Sequence, residues 1–246
     1  MDTDRARLPA PLLDSVVALM REHLGEPLTV ADLADHVGYS RFHFSRLFSA
    51  ETHLSPATYL AALRFATAKQ LLLGSDEPVV DICAEVGFAS LSTFGRRFRQ
   101  AVGVAPGEFR HLADAVSDRP VHPFALGDPR QPVVTISLVL PSAGARQQRS
   151  TWVGWYPAPV PIGLPHGGVL VRGDADVRLP LSPGNPWLPG ITLDADADAS
   201  EHLAPTSPTV AAHPAPILTS RSVTLTFGPA APNAVPLLSA LPSLRR

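Results

Sequence analysis

Apolar residues recur at helical spacing through the first hundred positions and in short β-branched runs after that. Leu13, Val16, Val17, Met20 and Leu24 mark one face of a helix over 12–23, which Gly25 and Pro27 end. Thr29 with Asp32 three residues on predicts a capping box opening a short helix over 30–37. Gly38 stops that helix and Tyr39-Ser40 forms the turn. Ser40 then caps a helix over 41–52 whose inward residues are Phe44, Leu47 and Phe48. Pro56 opens a long helix reaching residue 73, with Tyr59, Leu60, Leu63, Ala66, Leu71 and Leu72, and Gly74 closes it.

The pattern then repeats. A short helix over 79–86, a Gly87-Phe88 turn, a helix over 90–101 and a last turn or two from Pro106 follow in order. Asp32 corresponds to Asp81 and Gly38 to Gly87. Phe44, Phe48, Pro56 and Tyr59 correspond to Phe94, Phe98, Pro106 and Phe109. The register changes by one residue in the turn, where insertions cost least. Each copy is a short helix, a glycine turn and a second helix, the helix-turn-helix arrangement. In such units the second helix enters the DNA major groove and its first residues reach base edges.

Removing the core positions leaves Arg41, Phe42, Ser45, Arg46 and Ser49 outward on the first such helix. Leu91, Ser92, Gly95, Arg96 and Arg99 are left on the second. This set contains arginine and no acid. Arg46 and Arg96 hold the same repeat position, where a guanidinium can contact guanine O6 and N7 together. Phe42 either packs on a thymine methyl or belongs to the core; Leu91 has the same two readings. Arg97 replaces core Leu47, so its stem packs while its head reaches phosphate. Gly95 is unexpected inside a helix, and close approach to DNA or to the preceding helix would account for it. The joining helix, about 27 Å long at 1.5 Å per residue, suits two readers in successive major grooves. Arg64, Lys69 and Arg110 are candidate phosphate or intramolecular partners.

The second half changes character. Residues 1–115 hold six of the 27 prolines, and a stretch rich in Asp, Arg and Pro at 114–123 marks a boundary. The expected domains are therefore 1–115 and 116–246. Candidate strands lie at 133–140, 151–156, 168–171, 177–180, 190–195 and 223–227, separated by Pro/Gly turns. They predict an antiparallel β-sandwich. Residues 235–241 form either an edge strand or a docking segment. Trp152, Trp155, Tyr156 and Trp187 are expected in its core, with a binding surface as the other reading. Asp194, Asp196 and Asp198 alternate like the start of a calcium loop, but Ala199 and Pro205 stand where that loop needs Gly and Glu. His166, His202 and His213 lack metal-ligand spacing, and no G-x-S-x-G elbow occurs. No enzymatic activity, metal or cofactor is expected.

Charge alters this picture least. The formal net charge is −2, which argues against DNA binding only if affinity follows the total. It follows the phosphate-facing surface instead. The single cysteine, Cys83, excludes a disulfide framework and is expected in the core. Residues 1–7 are charged without an apolar segment after them, and no run approaches 18 apolar residues. A cytoplasmic, nucleoid-associated protein without membrane contact is expected.

The segments LTVADLADHVGYSRFHFSRLFSAE, SPATYLAALRFATAKQLL and PVVDICAEVGFASLSTFGRRFRQAVGVAPGEFR resemble the DNA-binding domain of AraC/XylS-type transcriptional regulators. The resemblance covers residues 12–112. It implies an all-α tandem helix-turn-helix joined by a long helix, and double-stranded DNA and RNA polymerase as partners. Carried onto this chain, base contacts fall to Phe42, Ser45, Arg46, Leu91, Ser92, Thr93 and Arg96. Ser40, His43, Ser90 and Arg97 fall where phosphate or sugar contacts are common, and Arg41 and Arg99 join them on the outward faces. The chain departs from the family at Ser45, Leu91 and Gly95, where longer polar groups are frequent. It departs again at His53, where glycine is common after the helix. The lone cysteine sets it apart from the cysteine-zinc, alkyl-accepting proteins that share this fold. Most members place this domain last, whereas here it comes first. The following region resembles immunoglobulin-like or prealbumin-like extensions, with a small-molecule effector or self-association as its expected role.

Overall fold

The computed structural model describes residues 7–118, 122–141, 149–173, 176–194, 197 and 199–240. The chain divides into two units: Met1–Arg97 with Ala231–Pro236, and Phe98–Ala230 with Leu237–Arg246.

The first unit is helical: α1 (Ala10–Glu22), α2 (Val30–His36), α3 (Arg41–Thr52), α4 (Pro56–Gly74), α5 (Val79–Glu85) and the greater part of α6 (Leu91–Val102). Local chemistry sets the starts. At α2 the Thr29 amide donates to Asp32 Oδ2 (2.7 Å) and the Asp32 amide to Thr29 Oγ1 (3.3 Å), the expected capping box. Ser40 and Ser55 cap α3 and α4 by accepting from the His43 and Thr58 amides. Gly38 and Gly87 take matching left-handed backbones (φ 73° and 79°) between the paired helices, conformations that non-glycine residues resist.

One core joins α1 (Leu13, Val16, Val17, Met20), α2 (Leu33, Ala34), α3 (Phe44, Leu47, Phe48) and α4 (Tyr59, Leu60, Leu63). The repeat is visible in two aromatic pairs, one in each unit. Phe48 meets Tyr59 edge-on at 87°, and Phe98 meets Phe109 at 78°. The unit also contains a segment remote in sequence. Val235 packs on the core. The Tyr59 hydroxyl donates to the Asn233 carbonyl (2.6 Å) and Asn233 Nδ2 to Asp14 (2.9 Å). Arg21 Nη2 donates to the Pro232 carbonyl (3.1 Å). Of the two readings for 235–241, the described residues 235–240 form no strand. Val235 packs instead on this helical core, and Leu237 on an apolar cluster of the second unit.

The second unit opens with the end of α6 and with α7 (Pro106–Asp118). At 13 residues, α7 is longer than the one or two turns expected. A β-rich region follows: β1 (Phe124–Leu126), β2 (Val133–Val139), β3 (Ser150–Trp155), β4 (Gly167–Arg172), β5 (Val177–Pro180), β6 (Pro189–Leu193), a short α8 (Ala199–Leu203), β7 (Thr209–Ala212), β8 (Ser222–Thr226) and β9 (Gly228–Pro229). The order is β1-β4-β3-β6-β7-β9 in one sheet and β5-β2-β8 in the other. A shared cluster takes Val134, Ile136 and Leu138 from β2, Val153 and Trp155 from β3, and Val223 and Leu225 from β8. The expectation of purely antiparallel pairing is corrected at one ladder. There β2 and β8 run parallel, Thr135 opposite Ser222 through Val139 opposite Thr226. A parallel pair needs a long crossover, and the chain between β2 and β8 supplies it.

Trp152, Trp155 and Tyr156 are buried as expected, and Trp187 is half-buried. The Trp152 ring lies so close to Gly154 and Gly168 that a Cβ on either would collide with it. Asp194 Oδ1 stands 3.7 Å from Arg149 Nε; Asp196 and Asp198 lie outside the described residues. A polar cavity of about 370 Å³ is lined by Arg149, Thr192, Asp194, Glu201 and Thr209 among others.

Candidate nucleic-acid interface

The first turns of α3 and α6 contain no acid. Phe44 and Phe48 on α3, and Phe94 and Phe98 on α6, are fully buried and fix which face of each helix turns outward. On α3 that leaves Arg41, Phe42 and Arg46 exposed, with His43, Ser45 and Ser49 half-buried. On α6 it leaves Leu91, Ser92, Arg96, Arg97 and Arg99 exposed, with Thr93 and Gly95 half-buried. Ser40 and Ser90 sit exposed at the two helix starts. Phe42 is 82% exposed and Leu91 47%, which removes the core reading for both.

Several of these side chains are held in place. Arg46 Nη2 lies 3.2 Å from His43 Nδ1, and the His43 ring stacks at a tilt on Tyr39 (5.1 Å). Ser45 Oγ donates to the Arg41 carbonyl (2.8 Å), which holds it on the helix in this state. Ser90 Oγ lies 3.0 Å from Ser92 Oγ. Around Gly95 an added Cβ would meet nothing within 4 Å. Close packing on the preceding helix therefore does not explain that glycine.

The cations of α4 do not face outward. Lys69 is 1% exposed, and burial pushes its pKa down to about 7, so it is no phosphate ligand in this state. Arg64 is an intramolecular clamp. Nε donates to the Leu24 carbonyl (2.9 Å), Nη1 to Gly87 (2.9 Å) and Nη2 to Glu26 (2.6 Å). Its Cζ lies 5.8 Å from the Phe88 ring centroid, and Arg97 Cζ lies 5.9 Å from the same ring. Burial first, and the Arg97 charge second, lower the Arg64 pKa. The sequence left Arg64 between two roles because its acceptors are backbone carbonyls far along the chain, which no local pattern marks. Cys83 is buried, its Sγ 3.5 Å from the Phe88 carbonyl oxygen.

His53 takes the left-handed conformation (φ 60°, ψ 12°) at the end of α3. Its counterpart after α6 is Gly103, at φ 108°. The backbone takes a positive φ at both helix ends, with histidine after α3 and glycine after α6.

The helical segment is similar in sequence to known proteins. A helix-turn-helix domain family matches residues 33–111. The chain is 35% identical over 100 residues to the transcriptional regulator GbdR of Pseudomonas aeruginosa, covering 41% of this chain and 27% of GbdR. It thus spans about a quarter of that relative's length. It is 30% identical over 100 residues to the regulatory protein SoxS of Escherichia coli K12, covering 41% of this chain and 94% of SoxS. A crystal structure of an AraC-type DNA-binding-domain regulator from Chromobacterium violaceum is 33% identical, covers 45% of this chain and 96% of its own, and has a TM-score of 0.41. Paired helices behind matched glycine turns, together with near-complete coverage of SoxS, identify the chain as a member of the AraC/XylS family.

Proposed function

We propose that the protein is a sequence-specific DNA-binding transcriptional regulator. In this reading residues 1–115 form a tandem helix-turn-helix in which α3 and α6 enter successive major grooves. The observation that carries it is the pairing of Arg46 with Arg96. Both are exposed on the second helix of a repeat unit, both follow a left-handed glycine turn, and no acid stands in either first turn. The 19 residues of α4, about 28 Å, are of the length such spacing needs.

Phe42, Ser45, Arg46, Leu91, Ser92, Thr93 and Arg96 read bases. Arg46 and Arg96 contribute bidentate guanine contacts worth about 1–3 kcal/mol of discrimination each. Phe42 supplies apolar contact to a thymine methyl. Ser40, Arg41, His43, Ser90, Arg97 and Arg99 engage the backbone and set the register. RNA polymerase is a further partner of the protein, and residues 116–246 form a β-sandwich that serves a small-molecule effector or self-association. The protein works in the cytoplasm on the nucleoid, and we assign it no enzymatic activity. Among the described residues no helix is long and apolar enough to cross a membrane.

The test is selection of bound sequences from a random duplex pool with the full chain, then footprinting on the selected site. Arg46→Ala and Arg96→Ala each relax preference at a different guanine. An unchanged footprint and sequence preference in both variants would refute the assignment.

A further inference from the structure

We propose that Arg64 is a positioning residue that fixes where the second recognition helix stands relative to the first, without itself touching DNA. The inference rests on the reading of α3 and α6 as paired readers. It starts from a seam inside the first unit, where the loop after α1 meets the turn between α5 and α6. Two glycines permit the approach. A Cβ on Gly25 would collide with the Glu85 carbonyl oxygen, and one on Gly87 would stand 2.7 Å from Arg64 Nη2 and 2.9 Å from the Leu24 carbonyl oxygen.

The Arg64 guanidinium sits at this seam. It donates to Leu24 and Glu26 on one side and to Gly87 on the other. The first two lead directly into Thr29 and α2, hence to α3. Gly87 leads through Ser90 into α6. One planar cation, anchored on α4, therefore touches the lead-in to both helix pairs. Phe88 joins the seam to the recognition face, because the Arg64 and Arg97 guanidinium groups both approach its ring, at 5.8 and 5.9 Å from the centroid. A lysine in place of Arg64 keeps the charge but lacks the fork that reaches three carbonyls in fixed directions.

The test uses the full chain, the selected site, each half-site alone, and complete sites with one base pair inserted or removed between the halves. Wild type binds the complete site well above either half and rejects the altered spacings. Arg64→Lys binds each half-site within about twofold of wild type. It binds the complete site about tenfold more weakly, and it tolerates the altered spacings. Phe88→Leu, which removes the ring but leaves the carbonyls, gives the same pattern at smaller amplitude. Thermal melts show both variants folded at the assay temperature. Equal weakening on all duplexes would assign Arg64 to plain stability and overturn the proposal. So would unchanged spacing discrimination in both variants. If wild type itself binds one half-site as tightly as the complete site, the two-reader assignment falls instead.

Discussion

Gly95→Ala separates folding from DNA reading in a single substitution. Gly95 lies inside α6, on the half-buried strip between buried Phe94 and exposed Arg96. A Cβ there meets no atom within 4 Å, so alanine enters without a clash. Replacing a mid-helix glycine by alanine gains about 0.5–1 kcal/mol, because the unfolded chain loses freedom that the helix never had. The expected result is a higher urea midpoint with an unchanged slope. On DNA the sign reverses. If α6 lies in the groove, the added methyl stands where the backbone approaches the duplex, and affinity for the selected site falls about tenfold. Fluorescence anisotropy at fixed salt, beside a urea titration of the same preparation, reads both quantities. Higher stability with unchanged or tighter DNA binding would show that α6 does not approach DNA at Gly95. Lower stability would show that the space around it is not open.

His53→Gly relieves the left-handed backbone at the end of α3 and should stabilise the protein by about 1 kcal/mol, read from the urea midpoint; a loss of stability would refute the strain. Phe42→Ala should leave the urea midpoint within about 0.5 kcal/mol, because the ring is 82% exposed, while weakening binding to sites that carry thymine under α3. Lys69 has a folded pKa of about 7 against an ordinary value of 10.5. Between those pH values the unfolded chain holds a proton that the folded chain has released, so stability rises with pH by up to about 1.4 kcal/mol per unit. Below about pH 7 the contribution is flat. Urea midpoints at pH 7, 8 and 9 should rise more steeply for wild type than for Lys69→Met; parallel curves would show that Lys69 does not titrate there.

Helices α1 to α6 were legible because each is written locally, whereas the length of α7 and the short α8 were not. The Thr29–Asp32 box, Ser40, Pro56 and the glycine turns mark starts and stops within a few residues, and the repeat checks each copy against the other. The outward placement of Arg46 and Arg96 follows from the same local pattern, because the buried phenylalanines fix the core face. What was not legible depends on distant partners. The parallel match of β2 to β8 joins residues more than eighty positions apart, and nothing in VVTISLV specifies its neighbour. Strand β7 is four residues, TVAA, whose alanines carry no β signal. Lys69 reads as a candidate phosphate or intramolecular partner, yet ten positions of α4 are buried, more than one face holds, and Lys69 is among them. The departure at His53 was visible only against the family, and the structure gives its physical content.

The segment Ala231–Pro236 gives the first unit a dependence on the order of synthesis. Its partners Asp14, Arg21 and Tyr59 leave the ribosome long before Asn233 does. At about 5–20 residues per second, the stretch between Arg97 and Ala231 takes roughly 7–27 s to make. For that time the helices of the first unit exist without the segment that receives the Tyr59 hydroxyl and adds Val235 to the core. The nascent chain is thus a helical unit still missing one piece, and completion of that unit reports that the β-rich region has already been translated.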